Sequence, residues 1–247
     1  MNATTFKPKQ IAKKLLTVLP TRARDVLEKR YGLGGGQEPP QTLDAIGQVY
    51  GITRERVRQI ENYAIQTIQK SDAYTEHHAL FAELQEAVVQ LGSVLAEEDL
   101  LQTLGTDAKT NEHLYFIFVL GTPFTRNKEN ILFHNRWFVN AELALAVEKA
   151  LIDLHESFTD DTLVSESEII ALLLEKLSAI DSQYKQEAFV KRWLAISKVL
   201  GQNPLGEWGL ATSPNIKAKG IRDFAYLTVK RHGSPMHFRE VAESIET

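Results

Sequence analysis

The sequence predicts a mostly α fold, built from tandem helix-turn-helix and winged-helix modules with short β wings. Three observations lead there. Apolar residues recur at helical spacing along most of the chain. Two short helical stretches, Thr42–Tyr50 and the one that begins at Thr53, meet at a tight turn at Gly51. Twice a run of helices gives way to a short stretch of β character, over 124–139 and over 206–212, the order of a helical bundle closed by a wing.

The elements follow in order. Pro20 and Thr21 open a helix that carries Val26 and Leu27 and ends near Gly32. Gly34-Gly-Gly-Gln-Glu-Pro-Pro40 is a loop dense in turn formers. It lacks the Lys-Ser/Thr end of a phosphate-binding P-loop and follows a helix instead of a strand, so no nucleotide site is expected from it. The helix from Thr53 meets no breaker before about Lys70. Residues 76–105 read as helices with Leu80, Phe81, Leu84, Ala87, Val88 and Leu91 on one face, and 111–120 as a buried helix. Two strands around a polar turn at Asn127–Asn130 come next. Helices over 141–155, 165–180 and 186–200 then lead to a short strand or wing at 206–212. The expected modules are 1–75, 76–140, 141–213 and an incomplete 214–247.

The helix from Thr53 has two unlike faces. Thr53 is an N-cap, its oxygen placed to accept a free backbone N–H of the first turn. Val57, Ile60, Ala64, Ile65 and Ile68 form the apolar stripe. The other side carries Arg54, Glu55, Arg58, Gln59 and Asn62. Arg54 with Arg58 and Glu55 with Gln59 are pairs four apart, stacked on one face. These side chains suit base edges in a major groove: Arg on guanine, Gln on adenine, Glu on the cytosine amino group. A merely solvated helix face is also rich in Arg and Glu. The preceding helix and turn decide for the reading face.

Leu19-Pro-Thr-Arg-Ala-Arg-Asp-Val-Leu-Glu-Lys-Arg-Tyr-Gly-Leu33, then Thr42-Leu-Asp-Ala-Ile-Gly47, then Thr53-Arg-Glu-Arg-Val-Arg-Gln-Ile-Glu61 together resemble region 4 of the sigma-70 family over about residues 19–70. The resemblance implies a helix-turn-helix that holds promoter-like duplex DNA and docks on core RNA polymerase. By position, Arg54, Glu55, Arg58 and Gln59 are the base readers, and Thr53 and Arg56 are cap or backbone contacts. Thr42, at the start of the preceding helix, and Asn62 complete the expected DNA-binding set. Only about 18 residues precede the match, so the usual layout of a complete sigma factor is not expected.

Composition narrows the function classes. Of 247 residues, 43% are hydrophobic and 24% charged, as in a soluble globular chain. The absence of cysteine excludes disulfides, thiolate zinc sites and a cysteine nucleophile. No apolar run reaches the roughly 18 residues of a membrane span, and the N-terminus lacks a signal-peptide core, so the cytoplasm is expected. The seven histidines are scattered, and adjacent His77 and His78 point about 100° apart on a helix. No catalytic constellation, metal site or cofactor is expected, and no enzyme. The oligomeric state is left open. The net charge of −4 is unevenly spread: residues 1–70 hold 12 Lys and Arg against 6 Asp and Glu, or +6, which leaves −10 for the rest. Attraction for phosphate therefore belongs to the first module.

A second likeness closes the chain. Gly220-Ile-Arg-Asp-Phe-Ala-Tyr-Leu-Thr-Val-Lys-Arg-His-Gly233 and Ser234-Pro-Met-His-Phe-Arg-Glu-Val-Ala-Glu-Ser-Ile245 resemble the opening of the HARE-HTH winged helix, related to the RNA polymerase delta subunit. Thr247 falls before the third helix and wing of such a domain, which leads us to expect a longer protein. Three functions stay open at this point: a sequence-specific DNA-binding transcription protein, a protein-binding transcription adaptor, and a DNA-targeting part of a restriction or defence system. The last is implied by the HARE-HTH resemblance alone.

Overall fold

The computed structural model describes residues 7–35 and 39–246, so the middle of the glycine loop lies outside the described residues. The fold is mostly helical with small antiparallel sheets, as the periodicity predicts. The chain divides into two units.

Unit 1 comprises Met1–Asn127 and Trp137–Val139. Helix α1 (Pro8–Leu16) starts on a proline, whose fixed φ and missing N–H suit a first helical position. Helix α2 (Thr21–Tyr31) stops at Gly32, held at φ 70 in the left-handed region. Helices α3 (Leu43–Tyr50) and α4 (Arg54–Gln69) form the helix-turn-helix. Then come α5 (Asp72–Glu76), α6 (His78–Gln90), strand β1 (Val94–Ala96), α7 (Glu97–Leu104) and α8 (Ala108–Leu120). Strands β2 (Thr125–Asn127) and β3 (Arg136–Phe138) complete a sheet of order β1-β3-β2.

One core runs through this unit. Leu15, Leu27 and Ile68 of α1, α2 and α4 join Leu84, Leu100, Leu114, Phe116 and Trp137. The Tyr31 ring lies 5.2 Å from that of Phe116 on α8. Gln69 Nε2 and Tyr74 Oη both donate to the Leu120 carbonyl, at 2.9 and 3.2 Å, and so satisfy an orphan acceptor at the end of α8. The boundary expected at 75/76 falls inside this unit, and helices from both sides supply the same core. Trp137 is buried and donates from its indole to Glu97, which also pairs with Arg126.

β1 departs from the expected helix over 76–105. Gly92 and Ser93, both at positive φ, end the helical path after α6. A three-residue strand is too short to show a period of two.

Unit 2 comprises Lys128–Arg136 and Asn140–Thr247. Asn140 caps α9 (Ala141–Ser157), and Ser165 caps α10 (Glu166–Lys176). A 3-10 turn (Ser182–Tyr184) precedes α11 (Glu187–Leu194). The two-stranded hairpin β4 (Leu200–Gln202) and β5 (Trp208–Leu210) follows, with Leu200 opposite Leu210 and Gly201 opposite Gly209. Helices α12 (Ile221–His232) and α13 (Phe238–Glu246) end the unit. Leu151, Leu154, Ile169, Leu173 and Trp193 are buried. The helix expected over 186–200 is shorter than its pattern, because Leu200 belongs to β4. Among the described residues no helix is long and apolar enough to cross a membrane.

Candidate nucleic-acid interface

The interface is built by two caps and one turn. Ala45 N–H donates to Thr42 Oγ1 at 3.1 Å and Arg56 N–H to Thr53 Oγ1 at 3.2 Å, so a threonine starts each helix of the pair. Between them Gly51 takes φ 63, and Ile52 N–H returns to the Gly47 carbonyl at 2.9 Å, which closes α3 in a Schellman turn. Val26, Ile46 and Val57 form a small buried cluster that fixes the angle of α4 against α2 and α3. Burying three such side chains stabilises the pair by about 1.5–3 kcal/mol each.

With Val57, Ala64 and Ile68 inward, Arg54, Glu55, Arg56, Arg58, Gln59 and Asn62 are all exposed. Thr42 is exposed too, but at the start of α3, with its hydroxyl already accepting the cap bond. The α4 side chains pair with each other. Arg58 donates to both Glu55 oxygens, Nε at 2.8 Å and Nη2 at 2.7 Å, and Gln59 Nε2 reaches the same carboxylate at 3.5 Å. Arg56 Nη1 donates to Gln59 Oε1 at 3.0 Å. The Arg58 guanidinium, hydrogen-bonded to Glu55, holds that carboxyl below its usual range, and Glu55 in turn raises Arg58. Both side chains are exposed, where such pairs are screened and easily exchanged for another partner.

Three features were not singled out from sequence. Asp44 on α3 lies 3.8 Å from Arg54, so one base-reading candidate has an acid beside it. Tyr63 is 57% exposed on α4, an aromatic ring on the polar side. Glu61, in contrast, is 8% exposed: it sits four residues past Val57, on the apolar stripe. Tyr31 Oη donates to it at 2.8 Å and Arg30 Nε at 3.3 Å, while Arg30 Nη1 holds the Gln41 carbonyl at 3.0 Å. Burial first, and then the Glu61 charge, push the Tyr31 phenol far up, so it stays a donor. This anchor ties α4 to α2 and to the residue before Thr42. Its signal in the sequence is a carboxylate where the apolar period calls for a hydrophobe, which needs partners elsewhere in the fold.

Residues 15–70 match the family Sigma-70, region 4. RNA polymerase sigma factor SigA of Nostoc sp. is 48% identical over 56 residues, which cover 23% of this chain and 14% of that protein. SigA1 of Synechococcus elongatus is 47% identical over 55 residues, 22% of this chain and 13% of that protein. The chloroplastic sigF of Arabidopsis thaliana is 37% identical over 57 residues, 23% of this chain and 10% of that protein. The match therefore spans no more than about a seventh of those relatives. No solved structure matches the chain. The stretch from the end of α1 through α4, with its capped helix pair and buried Val26–Ile46–Val57 cluster, is what the family match covers, and residues 15–70 are a sigma-70 region 4 domain.

Proposed function

We propose that this chain is a sequence-specific duplex DNA-binding transcription protein that acts with RNA polymerase in initiation or its regulation. One observation carries the reading: α4 turns Arg54, Glu55, Arg58, Gln59 and Asn62 outward on a helix whose other face is locked by Val57, Ala64 and Ile68. Arg58 and Gln59 read bases; Thr53, Arg56 and Thr42 lie at the phosphates. The Glu55–Arg58 pair opens on binding, and each side chain exchanges its solvent-exposed partner for a base edge. The acidic remainder suits protein contact better than phosphate contact, which favours core RNA polymerase as the second partner.

The test is a titration of the full chain with duplex DNA over a range of salt. Four to six phosphate contacts give a log–log slope of about −4 to −5. A slope near zero, or no binding to any duplex, contradicts the reading. Retention of polymerase by such a non-binding chain would make it the adaptor.

A further inference from the structure

Away from the α3–α4 face, unit 1 holds a cavity of about 300 Å³ that gathers residues far apart in sequence. Lys9 and Lys13 of α1, Glu28 of α2, Gly35 of the glycine loop and His113 of α8 all line it. The two lysines are four apart, so one helix face carries both ammonium groups to the same opening. Among the described residues neither ammonium has an ion-pair or hydrogen-bond partner, although Lys14 beside them is paired with Glu76. His113 is only 4% exposed, yet it faces this space. Its Nδ1 lies 2.7 Å from the Lys109 carbonyl, an acceptor, so Nδ1 carries the proton and Nε2 is the ring atom left for a ligand.

We propose that this cavity binds a small phosphomonoester bearing a hydroxyl, of the nucleotide or sugar-phosphate class. The chemistry divides over the lining. Lys9 and Lys13 supply two point charges for the phosphate oxygens, and His113 Nε2 accepts a hydrogen bond from a phosphate hydroxyl. The Glu28 carboxylate accepts a hydrogen bond from a ligand hydroxyl, and Leu16 and Leu33 of the same lining meet the carbon skeleton of an ester, which inorganic phosphate lacks. The volume sits at the low end of small-molecule sites, roughly 300–1,000 Å³, which excludes larger cofactors.

The experiment is isothermal titration calorimetry of the full chain with adenosine monophosphate, with inorganic phosphate as the second probe. The expected result is saturable one-to-one binding of the nucleotide and at least tenfold weaker binding of inorganic phosphate. The Lys9→Ala/Lys13→Ala double variant loses tenfold or more in nucleotide affinity, while Arg58→Ala binds it as the wild type does. Both lysines are exposed on α1, and alanine favours the helix, so an unchanged melting temperature shows that the fold is kept. Absence of binding, or equal affinity in the double variant, overturns the proposal. Displacement of the nucleotide by saturating duplex DNA also overturns it, because the phosphate recognised would then be that of the backbone.

Discussion

Phe116→Ala is expected to destabilise unit 1 by about 3–5 kcal/mol, the usual cost of emptying a large aromatic site in a packed core. Phe116 is fully buried on α8, outside the region 4 domain, and its ring packs on Tyr31 inside it. Typical domains are stable by only about 5–15 kcal/mol, so this one change removes a large fraction of the total. The loss should reach α4, because Tyr31 holds Glu61 and Glu61 lies on α4. Urea unfolding and amide exchange of the α4 backbone check this together. A loss under about 1 kcal/mol, or unchanged protection of α4, would mean that the helices after residue 75 do not support the α3–α4 pair.

Gly47→Ala is expected to destabilise by about 2 kcal/mol, as overpacking does, and to lower duplex affinity at least tenfold. On propensity alone the change should help, since alanine is better than glycine in a helix by about 1 kcal/mol. The local geometry reverses the sign. An added Cβ would lie 2.7 Å from the Ile52 carbonyl oxygen, a backbone atom with no side-chain freedom to yield. Ile52 also closes α3 by its bond to Gly47, and the next residue is the Thr53 cap. Any shift at Ile52 therefore re-aims α4. Equal or greater stability with unchanged affinity would show that the turn has slack.

The helix-turn-helix was legible because its signals are local. Thr42 and Thr53 cap where their side chains can reach a third N–H, and Gly51 takes the left-handed turn that favours glycine. The apolar stripe of α4 showed which face is buried, and so which residues face outward. Most later helices were also legible from their period, with ends off by a few residues. What was hidden depends on tertiary contact. β1 is too short for a period. The Glu61–Tyr31–Arg30 anchor joins residues about thirty apart, and nothing in the spacing pairs them. The shared core of unit 1 was hidden as well, since a nearly all-apolar α8 says that it is buried but not against what.

The central claim, that α4 reads sequence, is tested most directly by Arg58→Ala. The full chain and the variant are titrated against a duplex selected by the wild type and against a scrambled one. Loss of a bidentate base contact costs about 1–3 kcal/mol on the selected duplex, roughly five- to 150-fold, and little on the scrambled one. Equal losses on both duplexes would contradict the account, because Arg58 would then contribute charge and not recognition.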